Sequence, residues 1–143
     1  MLNYFSFILF TAYIAMSNLG DDSELTILVN LDEDAKGVVQ MLIFDREDGF
    51  PEVHENAVSK NTAKVENGKA IFNFENLPQG TYAVAAFHDG DADGKMRKTL
   101  LGIPKDAYGF SNDARSKFSA PSFESAAFEL STGKNTINFS LKL

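Results

Sequence analysis

The chain has 143 residues, of which 44% are hydrophobic and 23% charged, with 13 Phe, no Trp and no Cys. This composition is typical of one globular domain and excludes collagen-like, low-complexity and wholly disordered chains. The formal net charge of −7 disfavours nucleic-acid binding and peripheral attachment to anionic membranes, because an acidic surface repels phosphate groups. Without cysteine, the chain has no disulfide, thiolate zinc site or cysteine nucleophile.

Residues 1–20 are predicted to be a signal peptide. They contain no charged side chain, and residues 4–16 form an apolar run that is too short to span a bilayer as a helix. Ala15-Met16-Ser17 supplies the small-x-small pattern of a cleavage site, although the first residues lack Lys and Arg. A short membrane anchor is the alternative. We expect an exported protein, periplasmic or extracellular, with one domain over residues 21–143 and no stable membrane anchor after cleavage.

From residue 25 onward, apolar side chains recur with period two, which indicates β-strands. Asn67-Gly68, Leu77-Pro78-Gln79-Gly80 and Gly133 are turn signals between such segments. The pattern predicts an all-β fold, an antiparallel β-sandwich of about seven strands. The predicted strands are residues 25–31, Val38–Phe44, Lys69–Glu75, 81–88, a short strand holding Ala126, Phe128 and Leu130, and residues 135–143 with Ile137, Phe139, Leu141 and Leu143 on one face.

Two segments interrupt this pattern. Residues 45–64 are predicted to be a polar insert with one or two helical turns after Pro51, and residues 102–122 a long irregular loop. Within that loop, Tyr108, Phe110 and Asn112 could line a pocket for a sugar or a peptide. Alternatively, the aromatic rings close one end of the sandwich, which is the interpretation we favour.

The sharpest motif is the run Asp89-Gly90-Asp91-Ala92-Asp93-Gly94. Its carboxylates match positions 1, 3 and 5 of a calcium loop, its second glycine matches position 6, and the carbonyl of Lys95 would be the ligand at position 7. Position 12 is Leu100 rather than Glu, so the motif is not an EF-hand. It predicts a calcium site between strands, completed by an acid from elsewhere; the candidates are Asp106, Asp113 and Glu124. The alternative is a solvated Asp/Gly turn.

His88 precedes this motif at the end of a predicted strand. A histidine beside a carboxylate could act as a general base, which leaves open a small hydrolase that uses His88 with loop carboxylates. A histidine that hydrogen-bonds a neighbouring loop is the commoner arrangement. No Gly-x-Ser-x-Gly motif is present.

Several separated motifs follow one another along the chain: Leu77-Pro78-Gln79-Gly80-Thr81-Tyr82-Ala83-Val84, His88-Asp89, Gly102-Ile103-Pro104-Lys105, Tyr108-Gly109-Phe110-Ser111-Asn112, Pro121-Ser122-Phe123-Glu124 and Ala126-Ala127-Phe128. Together they resemble a bacterial family of unknown function, the domain of unknown function family 2141. The resemblance covers about residues 25–143 and implies an exported bacterial protein with a transthyretin-like or carboxypeptidase-regulatory-like sandwich, but no established activity. We therefore expect the predicted sandwich to be transthyretin-like or immunoglobulin-like. The family's loop usually reads similarly to Asp-x-Asn-x-Asn-Gly, and the loop here is more acidic.

The leading hypothesis is therefore an exported, non-catalytic module that is stabilised by calcium and binds a protein or glycan partner in the cell envelope. The hydrolase based on His88 and a ligand-free structural accessory domain are the alternatives. The enzyme question stays open at this level, with a non-catalytic role favoured, and the oligomeric state cannot be inferred from the sequence.

Overall fold

The structure, a computed structural model, describes residues 22–143, so the predicted signal peptide lies outside the described residues. The described chain forms eight strands, one four-residue helix and two 3-10 turns, His54–Asn56 and Ser111–Asp113. The strands and helix are β1 (Ser23–Asn30), β2 (Val38–Phe44), β3 (Ser59–Lys64), β4 (Lys69–Glu75), β5 (Gly80–Asp89), β6 (Tyr108–Phe110), α1 (Phe123–Ala126), β7 (Phe128–Leu130) and β8 (Gly133–Ser140). None of the helices found between residues 22 and 143 is long and apolar enough to cross a membrane.

Two sheets form the sandwich. One sheet has the order β4-β1-β8, and the other has the order β3-β2-β5, with β6 and β7 pairing along the free edge of β5. This arrangement confirms the predicted all-β sandwich. One pair departs from antiparallel order, because β1 and β8 run parallel, with Ile27 opposite Ile137. These two strands come from opposite ends of the domain, so no tight turn has to join them and the parallel direction is open to them.

The main core lies between the sheets and takes alternate residues from five strands, as the period-two pattern predicts. Ile27, Val29, Ile43, Val84 and Phe139 are all fully buried. Burying one such side chain contributes about 1.5–3 kcal/mol relative to its exposed state. The alternation on β1, β2, β4, β5 and β8 therefore supplies the main stabilisation of the sandwich.

Two turns that the sequence signals are present and hold the sheets together. Asn67 and Gly68 both have positive φ, 50° and 69°, and Glu66 pairs with Lys69 across them. The strands on either side then diverge into different sheets, so this hairpin is a corner of the sandwich. At the other turn, the hydroxyl of the buried Tyr82 donates to the carbonyl of Pro78 at 2.6 Å. This bond fixes residues 77–80 against β5, much as a tyrosine corner does in sandwich folds.

The polar insert predicted over residues 45–64 contains a strand that the sequence reading missed. The 3-10 turn at His54–Asn56 matches the expected short helical segment, but Ser59–Lys64 is β3, paired with β2 at the edge of the sheet. Its sequence, SKNTAK, is polar because this edge strand is exposed on one face and only half-buried on the other, and backbone hydrogen bonds hold it. Polar edge residues also hinder pairing with other chains.

The segment over residues 102–122 is more ordered than the irregular loop predicted for it. It contains β6 and the 3-10 turn Ser111–Asp113, which cover the outer face of β5 together with α1. Ala83 and Ala85 of β5 are buried there beside Phe110 and Ala126, so β5 is buried on both faces.

Two strand limits also differ from the prediction. Ala126 ends α1 rather than beginning a strand, and only Phe128–Leu130 pairs with β5. The last strand ends at Ser140, with Leu141 buried after it and Leu143 82% exposed. The apolar alternation therefore continues beyond the end of β8, and only its last residue, Leu143, is exposed.

Candidate functional site

The acidic motif forms a tight loop at the end of β5, and Asp89 organises it. Asp89 is only 1% exposed. Its Oδ2 accepts hydrogen bonds from Gln40 Nε2 at 2.9 Å and from Gly94 N at 2.7 Å, and its Oδ1 accepts one from Asp93 N at 3.2 Å. The first carboxylate of the motif therefore folds the loop around itself. We call residues 89–94 the Asp loop.

The backbone of the Asp loop explains its composition. Ala92 and Gly94 have φ values of 55° and 79°, in the left-handed region. Glycine adopts this region without steric cost, and a Cβ built on Gly94 meets no atom within 4 Å. The second glycine is therefore required by the turn rather than by close packing.

Gln40 holds Asp89 from the neighbouring strand, a role that the sequence reading missed. Thr62 of β3 donates to Gln40 Oε1 at 2.6 Å, and Gln40 in turn donates to Asp89. The chain of bonds crosses three adjacent strands and orients one carboxylate. The available signal is that Gln40 is the one polar residue in the apolar run VVQMLIF.

Asp89, Asp91 and Asp93 together could hold a metal ion. Each offers a carboxylate oxygen, and these atoms all lie within 4.8 Å of one another. Asp89 is buried, whereas Asp91 and Asp93 are exposed. Burial acts to raise the pKa of Asp89, but the hydrogen bonds from Gln40 and the loop backbone outweigh it, so the net pKa lies below its usual value. Asp89 is therefore a carboxylate at neutral pH.

Lys95 stays beside the cluster because its N–H donates to Asp93 Oδ1 at 2.8 Å. Its carbonyl as a further ligand remains a prediction. One oxygen of Asp93 thus accepts a hydrogen bond from the backbone.

His88 lies next to Asp89 and contacts the turn that precedes β2. Its Nε2 is 2.6 Å from the carbonyl oxygen of Lys36. A carbonyl only accepts, so Nε2 carries the hydrogen and donates. Gly37, with φ of 91°, packs so closely on the same region that a Cβ there would lie 2.6 Å from the carbonyl oxygen of Asp89. The His88 ring therefore joins the end of β5 to the turn before β2.

Asp106 does not join the Asp cluster, although the sequence made it a candidate ligand. It is 4% exposed, and its two oxygens accept from Arg97: Oδ2 from the backbone N at 2.7 Å, and Oδ1 from Nε at 2.8 Å and from the terminal guanidinium nitrogen. Burial acts to raise its pKa, but these bonds to Arg97 outweigh it, and the pKa lies below its usual value. Asp106 is bound to Arg97 rather than to the cluster.

Asp113 and Glu124 also lie outside the group of three. Asp113 follows Ser111 in the 3-10 turn, and its Oδ1 accepts from Ser140 N of β8 at 2.8 Å. Glu124 is exposed in the first turn of α1. In the part of the chain that the structure describes, no cluster of metal-ligating side chains includes Asp106, Asp113 or Glu124.

The residues considered for a pocket contribute to packing. Phe110 is 7% exposed, and its ring packs edge-on against Tyr108 and Phe50. Asn112 donates to the carbonyl of Ala127 at 2.7 Å. The Arg115 guanidinium lies over the Tyr108 ring at 5.2 Å from its centroid. The rings therefore pack on the outer face of β5, whereas the favoured interpretation has them close one end of the sandwich. The pocket for a sugar or a peptide stays a prediction.

Ser111 is a further buried polar residue of this layer. Its hydroxyl accepts from Val84 N at 2.9 Å and donates to the carbonyl of Ala126 at 2.5 Å. With both roles used by backbone groups and no exposed surface, Ser111 fastens the covering segment to β5.

The chain matches a known protein family. No curated protein matches the chain. The family described as "Uncharacterized protein conserved in bacteria (DUF2141)" matches residues 27–138. That match runs from β1 to β8 and includes the whole Asp loop. The chain therefore belongs to this uncharacterised bacterial family.

Proposed function

We propose that this protein is an exported, non-catalytic β-sandwich module that binds calcium weakly at the Asp loop and engages a protein or glycan partner in the bacterial cell envelope. The observation that carries the proposal is the cluster of three carboxylates at Asp89, Asp91 and Asp93. Export is supported by the composition of residues 1–20. An exported protein meets the proteins and glycans of the envelope, which supports a partner of that kind.

Calcium is the cation that suits this ligand set best. The cluster offers only oxygen atoms, and Ca²⁺ accepts carboxylates in flexible geometry at the spacing of positions 1, 3 and 5. The site has no bidentate glutamate, because position 12 of the motif is the exposed Leu100. We therefore expect a dissociation constant of about 10⁻⁴–10⁻³ M, the range of extracellular modules.

One observation favours the ligand-free alternative, an accessory domain with no ion. Asp89 already accepts three hydrogen bonds, so the Asp loop has a framework without a cation. Asp91 and Asp93, however, are exposed and repel each other and Asp89 at short range. The two alternatives differ in what calcium does to stability.

Thermal melting with calcium and with chelator is the deciding experiment. At free calcium of 100 times the dissociation constant, binding to the native state adds roughly 2.7 kcal/mol to the free energy of unfolding. Asp91→Asn should abolish most of this gain and slightly raise the melting temperature in chelator, because one repelling charge is lost. Glu52→Gln, an exposed acid on another loop, is the matched control and should behave as the wild type.

An unchanged wild-type melting temperature in millimolar calcium, with no effect of Asp91→Asn, would leave the Asp loop as a plain turn and favour the accessory domain. Titration calorimetry on the same samples measures the affinity directly.

The non-catalytic part of the proposal is supported by the bonds of His88 and Ser111. Nε2 of His88 donates to a main-chain carbonyl, and Ser111 is fully buried. Assays against generic ester, phosphate and glycoside substrates test this part. A turnover that His88→Ala abolishes, with an unchanged melting curve, would overturn it.

A further inference from the structure

Residues 97–105 form a short hairpin between the Asp loop and β6. Lys105 N donates to the carbonyl of Arg97 and Thr99 N to the carbonyl of Ile103, both at 2.8 Å, and Gly102 N closes the turn on Thr99 at 3.0 Å. Lys98 pairs with Pro104. We call this segment the 97–105 hairpin.

The end of the 97–105 hairpin is apolar and fully exposed. Leu100 is 107% exposed, Leu101 87% and Ile103 58%. A Cβ built on Gly102 meets no atom within 4 Å, so the turn stands clear of the sandwich. Three large apolar side chains at a protruding turn do not contribute the free energy that their burial would give. Soluble domains usually avoid contiguous exposed apolar patches of this kind. We call Leu100, Leu101 and Ile103 the apolar tip.

The base of the hairpin is firmly attached. Arg97 is bound through its backbone N and its guanidinium to the buried carboxylate of Asp106. His88 N donates to the carbonyl of Ala107 at 2.8 Å, which joins the returning chain to β5. The protein therefore holds the apolar tip outward from an anchored base.

The charge around the apolar tip is opposite to that of the whole chain. Residues 95–105 contain Lys95, Arg97, Lys98 and Lys105 and no Asp or Glu, whereas the chain carries a net charge of −7. Because Arg97 is paired with Asp106, the positive charge near the tip comes from the lysines. Lys98 and Lys105 flank the tip and are exposed. A protruding apolar turn between lysines is complementary to a lipid bilayer, which has anionic headgroups at its surface and apolar chains below them.

We propose that the apolar tip inserts reversibly into the interfacial region of an anionic lipid bilayer, with Lys98 and Lys105 at the headgroups. The shape favours a bilayer over a protein partner, because the tip is convex and a protein would have to offer a matching pocket. This proposal is independent of the calcium site. It also revises the inference from net charge, since the cations are concentrated on one hairpin.

The absence of tryptophan makes a direct test possible. Leu101→Trp places a single tryptophan on the apolar tip, and Ile71→Trp places one on β4 of the other sheet, where Ile71 is 53% exposed. Equimolar phosphatidylglycerol and phosphatidylcholine vesicles, added in chelator and again in calcium, should shift the Leu101→Trp emission to the blue. The Ile71→Trp emission should not change. Quenching by brominated lipid measures the depth of the tip.

Vesicle cosedimentation of variants tests the two parts of the surface separately. Leu100→Ser combined with Leu101→Ser should weaken binding at least tenfold, and Ile71→Thr should not. Lys98→Gln combined with Lys105→Gln should weaken it by about fivefold per lysine removed, whereas Lys60→Gln with Lys64→Gln on β3 should have little effect. Unchanged melting curves establish that each variant is folded.

Two results would overturn the proposal: no binding of the wild type to these vesicles in either condition, or binding that survives loss of both leucines. The first result would favour a protein partner with a pocket that fits the apolar tip.

Discussion

Two buried aspartates, Asp89 and Asp106, have pKa values below the usual range, and the groups that lower the pKa differ between them. Hydrogen bonds from the side chains of Gln40 and Asp91 and from the loop backbone lower the pKa of Asp89, whereas the cationic Arg97 lowers that of Asp106. In both cases burial alone would raise the pKa. Because the unfolded chain binds a proton at a higher pH than the native state does, each residue stabilises the fold above the unfolded pKa of about 3.9. That contribution is lost as the pH falls through the native pKa.

Asp106→Asn should remove part of this acid sensitivity. At pH 7 we expect the melting temperature to fall by roughly 3–6 °C, because Arg97 loses a charged acceptor and a buried amide replaces it. The difference from the wild type should shrink as the pH drops from about 5 to 2, where the wild-type carboxylate becomes protonated. Melting curves across this range test the prediction, with Asp34→Asn on an exposed turn as control. A difference that does not vary with pH would mean that packing, and not charge, accounts for the loss.

At the level of residues, the sequence predicts contacts that are local and misses those that cross strands. The spacing of Asp89, Asp91 and Asp93 identifies the cluster, since a tight turn brings nearby side chains together. Gln40 is 49 positions from Asp89, and their contact depends on the register between β2 and β5. The charge of Asp106 is visible in the sequence and makes it a candidate ligand. Its contact with Arg97 depends on the folded hairpin, which the sequence pattern does not show.

At the level of elements, β6 illustrates how a glycine permits one strand to approach another. A Cβ on Gly109 would lie 2.5 Å from the carbonyl oxygen of Ser140 and 3.2 Å from Leu141 Cδ2. Backbone atoms cannot move away as a flexible side chain can. The small residue therefore allows the covering layer to pack against the end of β8.

Gly109→Ala should destabilise the fold by about 1–3 kcal/mol, the usual effect of overpacking. Gly90→Ala is the matched control, because a Cβ there meets only His88 Cε1 at 3.8 Å and its φ is not positive. The control should change the free energy of unfolding by less than about 0.5 kcal/mol. Urea unfolding of both variants provides the measurement, and equal stability of the two would show that β6 shifts without cost.

The apolar pattern predicts the strands that have one well-buried face, and it does not predict the polar edge strand β3. Val38–Phe44 and Lys69–Glu75 agree with the structure at both ends, because their apolar alternation reflects burial. Ser59–Lys64 lacks that signal because backbone pairing with β2 holds it. The covering segment over residues 102–122 was missed for a different reason, since its aromatics pack against a sheet face that the pattern on β5 alone does not reveal.

At the level of the whole molecule, net charge is a poor guide to any one surface. The chain is acidic overall, yet four of its 13 Lys and Arg residues fall within residues 95–105. The Asp loop and the 97–105 hairpin follow each other directly, so an acidic cluster and a cationic apolar turn lie in consecutive segments. An average over the sequence cancels the two, so the net charge describes neither segment.

Export is the remaining prediction at this scale, and the fold limits where the leader can be removed. The carbonyl of Asp22 accepts from Gly133 N at 2.9 Å, and the buried Ser23 donates its hydroxyl hydrogen to the carbonyl of Leu77. Cleavage beyond residue 22 would therefore remove hydrogen bonds that join the start of β1 to Gly133 and Leu77. Signal-peptide anatomy predicts the loss of roughly the first 17 to 20 residues, which leaves these bonds intact.

Intact-mass measurement of the protein recovered from its native host tests this prediction. The mature chain should begin between residues 18 and 21, and a form without residues 2–20 should remain inside the cell while melting at the same temperature as the exported protein. Replacement of the apolar run over residues 4–16 by a polar sequence of equal length is the control for the leader, and it should abolish export. A mature protein that retains residues 4–16 would contradict cleavage and would favour the short membrane anchor, in which case the apolar tip would meet a bilayer to which the chain is already tethered.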